Sequence, residues 1–184
     1  EALGNEMVLV RAAGNGYYDY AAGGNQLATA TDINGNLILD GQMIIVGNYN
    51  GSGVNGAKAG NVCVTYVDGV CKDAAKVSDF YIVAPGVWNS TGADGGYEIQ
   101  GGTSMAAPAV SGAIAILHEM WPHMKGKNLV QLVLQTANKD LPNYKVETYG
   151  HGLLDLDKAT QPIGFIGIPT TGRTNGNKVE LTGV

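Results

Sequence analysis

The sequence lacks the features that mark nucleic-acid binding or membrane insertion. Its 11 Lys and Arg residues are scattered and are outnumbered by 16 Asp and Glu, for a net charge of -5. Because no basic patch could face a phosphate backbone, no nucleic-acid partner is expected. The longest apolar run, residues 105–117, contains Pro108 and Gly112 and is shorter than the roughly 20 residues that cross a bilayer. It predicts a buried core helix, and no membrane span in this chain.

Cysteine is also scarce, with Cys63 and Cys71 alone in the 184 residues. A pair at this spacing favours a small disulfide-closed loop if the protein is secreted. A tight hairpin turn at Asp68–Gly69 is the competing interpretation. That turn would pair Cys63 with Ala74 and leave the two cysteines out of register. The sequence leaves both interpretations open.

Glycine, in contrast, is abundant, at 28 of 184 residues against a usual share of roughly 7%. Many loops of specific shape are therefore expected, because glycine adopts backbone conformations that a Cβ excludes. The length and the 45% hydrophobic content suit one domain with a core of its own. Residues 169–184 are dominated by Thr, Gly, Asn and charge, and are predicted to be a polar tail or linker.

Short apolar runs predict strands at residues 7–12, 43–46 and 80–84, with loops over 17–42 and 47–61. Two helices follow, over residues 104–121 and 128–137. The second is amphipathic, because four residues share one stripe at helical spacing: Leu129, Leu132, Val133 and Thr136. Strands followed by helices at this spacing predict an α/β fold with a mostly parallel sheet.

The segment with the clearest chemistry is residues 101–108, of sequence GGTSMAAP. A serine at the start of a buried helix lies beside free N–H groups and at the positive end of the helix dipole. An oxyanion forming on an attacked carbonyl would be stabilised there. Thr103 or Ser104 could instead be a helix N-cap, which is the commoner role of such residues. The chemistry of these residues alone leaves the choice open.

The same segment resembles a known family. Residues 102–108, GTSMAAP, are similar to the nucleophile motif of the subtilases, the subtilisin-like serine proteases. Residues 10–16, VRAAGNG, resemble the family motif whose asparagine donates into the oxyanion hole. Two more segments, PG at 85–86 and YGHGLLD at 149–155, resemble further landmarks, so the likeness covers about residues 7–162. The long interval between Asn15 and Ser104, with the polar tail, is similar to the protease domains of bacterial autotransporters.

This resemblance implies the C-terminal portion of a subtilisin-like three-layer fold, so residues 1–168 would form a partial catalytic domain. Ser104 would be the nucleophile that attacks a polypeptide substrate, and Asn15 would donate to the oxyanion. Substrate contacts are assigned to the residues flanking these two: Ala12, Ala13, Gly14, Gly102 and Thr103. No metal ion or cofactor is expected.

The catalytic Asp and His of the family precede its asparagine motif, so this chain is expected to lack both. His118 lies about 21 Å along the helix from the serine, too far to accept its proton. His123 lies farther along the chain, and His151 stands at a variable position of a structural landmark. Asp32 and Asp94 are interpreted as turn residues.

Without a general base the chain alone is expected to be nearly inert. The expected partner is the missing N-terminal half of the protease domain, and exposed sheet edges favour dimerisation. The family implies a secreted or cell-surface location. Two alternatives remain: a sedolisin-type carboxyl protease, which would carry an aspartate where Asn15 stands, and a non-catalytic binding or interaction module.

Overall fold

The computed structural model describes residues 7–15, 30–51, 53–68, 70–162, 167–168 and 179–180. For residues 61–67, 70–76, 167–168 and 179–180 it describes the backbone alone. None of the helices in this described part is long and apolar enough to cross a membrane.

The described strands are β1 (Leu9–Ala12), β2 (Met43–Tyr49), β3 (Val54–Asn55), β4 (Asn61–Val67), β5 (Val70–Lys76), β6 (Tyr81–Pro85), β7 (Val87–Thr91), β8 (Tyr97–Gly101), β9 (Gly167–Ile168) and β10 (Val179–Glu180). The helices are α1 (Thr103–Met120), α2 (Gly126–Thr136), α3 (Val146–Tyr149) and α4 (Leu156–Ala159), with a 3₁₀ turn at Val77–Phe80.

A four-stranded sheet lies at the centre of this fold. β1 and β6 flank β2 and both run parallel to it, with Leu9 opposite Met43 and Ile45 opposite Tyr81. β3 joins antiparallel at the end of β2. The segment after α3 completes the outer edge of β6, because the Val83 N–H donates to the Gly152 carbonyl and the Leu154 N–H donates to the Val83 carbonyl.

Two hydrophobic cores cover the two faces of the sheet. Ile44 and Val46 of β2 pack with α1 and α2 in the first core. Met43 and Ile45, which point the other way, pack with Tyr81 in the second. Strands covered on both faces have apolar side chains at successive positions, which is why the predicted strand segments were nearly continuous apolar runs. The helices on one face, the sheet itself and the residues that cover its other face form three layers. This is the α/β three-layer arrangement that was predicted.

The predicted elements correspond to β1, β2, β6, α1 and α2. The interval 47–61, predicted to be a loop, contains the end of β2 and all of β3. In α2, Leu129, Val133 and Thr136 are buried as predicted, whereas Leu132 is only partly buried. Residues 17–29 of the first predicted loop lie outside the described residues. So does most of the predicted tail, in which β10 is described and pairs with β9, just before the tail.

The two cysteines lie on the hairpin of β4 and β5. Its backbone register pairs Val67 with Val70 and Cys63 with Ala74, while Cys71 lies opposite Tyr66. This is the pairing expected for the tight turn at residues 68–69. The side chains of Cys63 and Cys71 lie outside the described part of the structure, so the disulfide remains a prediction.

Tyr81 anchors the second core. Its side chain is fully buried, and its hydroxyl donates to the Ala57 carbonyl at 2.6 Å. A Cβ at Gly47 would overlap that hydroxyl, so β2 needs a glycine there. Burial raises the pKa of Tyr81 well above its ordinary value of 10.0.

This raised pKa predicts a loss of stability at alkaline pH. Above about pH 10 the tyrosine ionises in the unfolded chain but stays neutral in the folded one, so the free energy of unfolding falls as pH rises. Tyr81→Phe should flatten this decline, while costing about 1 kcal/mol at neutral pH through the lost hydrogen bond. Urea unfolding of both proteins at neutral and alkaline pH measures the difference. Equal declines in the two proteins would contradict the assignment to Tyr81.

Candidate active site

A hydrogen-bond network joins the end of β1 to the start of α1. The Thr103 N–H and the Thr103 hydroxyl both donate to Asn15 Oδ1, at 2.7 and 2.9 Å. The Thr103 hydroxyl also accepts from the Gly14 N–H at 3.1 Å. Both Thr103 groups are donors and need an oxygen as their acceptor. They therefore fix which end of the Asn15 side-chain amide is the oxygen and which is the nitrogen. Asn15 is exposed, and among the described residues no group accepts a hydrogen bond from its Nδ2.

This network stands where the sequence left a helix cap open as an alternative. The N-cap residue of α1 is Gly102, and no side chain within the first turn makes a capping bond. The cap role offered for Thr103 or Ser104 is therefore wrong. Asn15, which follows β1, takes the place of a local cap by accepting the Thr103 N–H. Ser104, the next residue, is exposed in the first turn, and its hydroxyl has no hydrogen-bond partner among the described residues.

Glycine is required at position 102 by both conformation and space. Its φ of 149° lies in a region that side-chain-bearing residues rarely adopt. A Cβ there would lie 2.8 Å from Asn15 Nδ2. The amide nitrogen thus sits directly beside the backbone that leads into Ser104.

A second tight contact, between Gly102 and Gly86, supports the backbone that leads into α1. The Gly102 N–H donates to the Gly86 carbonyl at 2.8 Å. A Cβ at Gly86 would lie 2.5 Å from both Asn48 Oδ1 and the Gly102 carbonyl oxygen. Asn48, at the end of β2, is only 1% exposed, and its Oδ1 has no hydrogen-bond partner in the described structure. Asn48 was predicted to lie in a loop and was not identified as a site residue. The available signal was a polar residue that follows a buried apolar strand.

The residues before Asn15 form the opposite side of the site. Ala12 is half-buried at the end of β1, and Ala13 is buried in the second core. Gly14 is exposed, and its carbonyl accepts the Ala57 N–H at 3.0 Å. A Cβ at Gly56 would lie 2.8 Å from that carbonyl oxygen. The structure thus brings together all of the predicted site residues except the cysteines, namely Ala12, Ala13, Gly14, Asn15, Gly102, Thr103 and Ser104.

An apolar cleft of about 660 Å³ opens next to Ser104. Its walls come from the end of β6, the β7–β8 hairpin, α1 and the residues before and at the start of α4: Pro85, Trp88, Ser90, Gln100, Ser104, Met105, Pro108, Ala109, Gly112, Ala113, Ile116, Leu154 and Leu156. None of these side chains is ionisable. The cleft and the hairpin had no counterpart in the sequence-based predictions.

The three histidines lie away from Ser104. His118 and His123 are exposed, near the end of α1 and beyond it. The His151 N–H donates to the Tyr81 carbonyl at the start of β6, and the ring Nε2 lies 3.2 Å from the Asp79 carbonyl oxygen. Gly102 contacts Gly86 just past the other end of that strand. At about 3.3 Å per residue, the strand separates His151 from the nucleophile loop by roughly 15 Å.

The two candidate aspartates serve in turns. Asp32 Oδ1 accepts from the N–H groups of Asn34 and Asn36 at 2.8 and 2.9 Å. These hydrogen bonds, led by the one from Asn36, lower the pKa of Asp32. Asp94 Oδ1 accepts from the Gly96 N–H at 3.0 Å. Both aspartates act as predicted.

Chemically, the arrangement offers an exposed hydroxyl at a helix N-terminus and an oriented amide donor beside it. Such a pair suits attack on a carbonyl followed by stabilisation of the resulting oxyanion. Within the described residues, nothing next to the hydroxyl can accept its proton.

Comparisons with known proteins agree with this geometry. The family model described as "Subtilase family" matches residues 1–152. "Subtilisin-like protease SBT3.17" of Arabidopsis thaliana is 33% identical over 94 residues, covering 44% of this chain and 12% of that protein. Fervidolysin of Fervidobacterium pennivorans is 35% identical over 88 residues, covering 48% and 12%. The chain thus spans about an eighth of the length of these curated relatives.

Solved structures share the fold. The self-cleaved protease domain of PatA matches with a TM-score of 0.52 and 22% identity, over 84% of this chain and 49% of that one. The epidermin leader peptide processing serine protease EpiP of Staphylococcus aureus matches with a TM-score of 0.53 and 22% identity, over 85% and 42%. At this identity they establish the fold alone. With the family match over residues 1–152, they lead to one conclusion: the chain belongs to the subtilase family of serine proteases.

Proposed function

We propose that this chain is the nucleophile and oxyanion portion of a serine endopeptidase, and that it cleaves peptide bonds once another polypeptide segment supplies the catalytic Asp and His. The observation that carries this proposal is the double hydrogen bond from Thr103 to Asn15 Oδ1. It leaves the amide nitrogen as a donor beside Ser104, where an oxyanion would form.

In the proposed reaction, Ser104 Oγ attacks the carbonyl carbon of the scissile bond while the general base takes its proton. The carbonyl oxygen becomes an oxyanion that accepts hydrogen bonds from Asn15 Nδ2 and the Ser104 N–H. Collapse of this intermediate breaks the C–N bond, and the leaving amine takes the proton from the base. Water then hydrolyses the acyl-enzyme. Ala12, Ala13 and Gly14 line the pocket for the residue before the cleaved bond, and Gly102 and Thr103 contact the substrate backbone.

The chain alone should be nearly inert, because an unassisted serine hydroxyl is a weak nucleophile at neutral pH. The expected partner is the N-terminal half of a subtilase domain. Secretion or cell-surface display, and the likeness to autotransporter protease domains, belong to this proposal and rest on the family resemblance. The cysteine pair at residues 63 and 71 is compatible with an oxidising compartment.

A fluorophosphonate probe with intact-mass analysis tests the proposal. The probe should leave this chain unmodified and should label the protein extended upstream through the segment that carries Asp and His. Ser104→Ala in the longer protein is the control and should abolish labelling. Stoichiometric labelling of the short chain would mean that a base lies within its 184 residues. Labelling of neither protein would favour a non-catalytic binding module.

A further inference from the structure

Asn15, the donor of the candidate oxyanion site, is followed in the sequence by Gly16. The side-chain amide of an asparagine before glycine is open to attack by the next backbone nitrogen, because glycine has no Cβ to block the approach. The attack closes a succinimide ring and releases ammonia, which is the reaction of deamidation. The chain contains five Asn–Gly pairs, at residues 15–16, 34–35, 50–51, 55–56 and 175–176. The surroundings of each pair therefore decide which of them reacts.

The hydrogen bonds made by Asn15 favour this attack. When a nitrogen adds to Cγ of the side chain, negative charge collects on Oδ1. Asn15 Oδ1 already accepts the Thr103 N–H and the Thr103 hydroxyl, at 2.7 and 2.9 Å. The Thr103 N–H belongs to the first turn of α1, at the positive end of the helix dipole. Donors placed where charge develops lower the barrier to addition at a carbonyl group. Thr103 thus stabilises the same kind of charge on Asn15 that an oxyanion hole stabilises on a substrate.

The group that leaves in this reaction is accessible as well. Asn15 is exposed, and among the described residues nothing accepts a hydrogen bond from its Nδ2. A Cβ at Gly102 would lie only 2.8 Å from Nδ2, so the glycine keeps open the space beside that nitrogen. Water can therefore reach the departing nitrogen and protonate it.

The pair at residues 34–35 has the opposite surroundings. Asn34 is exposed, but within the described ranges no group donates to its side-chain oxygen. The Gly35 N–H, which carries the attacking nitrogen, donates to the Asp32 carbonyl at 3.0 Å. The Asn34 N–H donates to Asp32 Oδ1 at 2.8 Å and holds the same turn. Attack at Asn34 would break a hydrogen bond and would gain no stabilisation of its oxyanion.

We propose that Asn15 is a site of spontaneous deamidation that Thr103 promotes. The Gly16 nitrogen loses its proton and bonds to Asn15 Cγ, the bond from Cγ to Nδ2 breaks, and Nδ2 leaves as ammonia. Water then opens the succinimide to aspartate or isoaspartate. Both products lack the Nδ2 donor. In the proposed protease the reaction therefore removes the oxyanion donor and limits the working life of the enzyme, and this consequence alone rests on the proposed function.

Deamidation rates in the folded and the unfolded chain are the test. The chain is incubated at mildly alkaline pH with and without urea, and mass spectrometry of its peptides follows Asn15 and Asn34 separately. In the folded chain Asn15 should react about tenfold faster than Asn34, the effect of one hydrogen bond to a charged oxygen. Folding should accelerate the reaction at Asn15 and slow it at Asn34. In urea, where the fold is lost, the two sites should react alike.

Two variants of Thr103 test its role. Thr103→Val removes the hydroxyl donor and should slow deamidation at Asn15 about tenfold, whereas Thr103→Ser keeps the hydroxyl and should keep the rate. Asn34 is the internal control in both variants and should not change. The Thr103 hydroxyl also accepts the Gly14 N–H, so circular dichroism must show that Thr103→Val folds. If it does not fold, the comparison of folded and unfolded chains decides.

Slower deamidation of Asn15 in the folded chain than in urea would overturn the proposal, because the hydrogen bonds would then protect the amide. An unchanged rate in folded Thr103→Val would overturn the role of Thr103. Neither measurement needs catalysis, so each stands apart from the proposed function. In the protein extended upstream, kcat should fall in proportion to the deamidated fraction at Asn15. Full kcat after deamidation would refute the oxyanion role of Asn15 and keep the modification site.

Discussion

Asn15→Asp should lower kcat of the complemented protease by a factor of about 10²–10³, a size borrowed from subtilisin, where loss of the oxyanion asparagine has this effect. The aspartate keeps an oxygen for the two Thr103 donors that hold Asn15 Oδ1. It replaces the Nδ2 donor by a second acceptor oxygen, which repels an oxyanion. KM should stay within about twofold, because the lost interaction forms only in the transition state.

Steady-state kinetics on a peptide substrate measure this change, with thermal unfolding alongside. Asn128→Asp, at an exposed position on α2, is the matched control and should leave both parameters unchanged. A similar fall for both variants would point to net charge as the cause. If Asn15→Asp kept the full kcat, Asn15 would not be a donor to the oxyanion.

Gly150→Ala should lower the free energy of unfolding by about 3 kcal/mol, near the upper end for overpacking. Gly150 has a φ of 58°, and a Cβ there would overlap the backbone carbonyl of Tyr81. The His151 N–H donates to that carbonyl at 2.8 Å. The larger residue would therefore push residues 151–154 off the edge of β6. The Tyr81 carbonyl belongs to the backbone, so it cannot move aside as the end of a flexible side chain could.

The control for this prediction is Gly112→Ala on α1. Its Cβ would meet nothing within 4 Å, and alanine should stabilise the helix by about 0.5–1 kcal/mol relative to glycine. Urea unfolding of both variants gives opposite shifts in midpoint if local space decides the outcome. Loss of stability in both would show that α1 depends on Gly112 for a contact outside the described residues.

The sequence was informative where a pattern is local. The apolar runs that became β1, β2 and β6 were recognisable because both faces of a parallel strand are buried. The start of α1 was placed within one residue by the glycines before it and the small apolar residues after it. Residues 101–108 also resembled the nucleophile motif of the family. Asn15 was identified through a second motif of the family, residues 10–16, and not from any sign that it lies close to Ser104.

The features that could not be predicted from the sequence depend on contacts between segments that lie far apart in the chain. A helix cap at Thr103 or Ser104 was one of the alternatives left open because caps are normally local, whereas the acceptor of the Thr103 N–H is Asn15. Asn48 fell in a predicted loop because glycine and asparagine after a strand usually mark a turn. Here β2 continues through them, since Gly47 makes room for the Tyr81 hydroxyl. The β7–β8 hairpin was missed because its residues are exposed on both faces and show no burial pattern.

The bonds between Asn15 and Thr103 join residues 88 positions apart. Closing a loop of that length carries an entropic cost that must be met before the contacts between its ends can form. Parallel strands joined by long crossovers fold slowly for the same reason. The oriented amide beside Ser104 therefore cannot exist in a partly folded chain that has only local helices and hairpins. During folding, the oxyanion site beside Ser104 should therefore form late and in a single step, when β1 and α1 dock on β2.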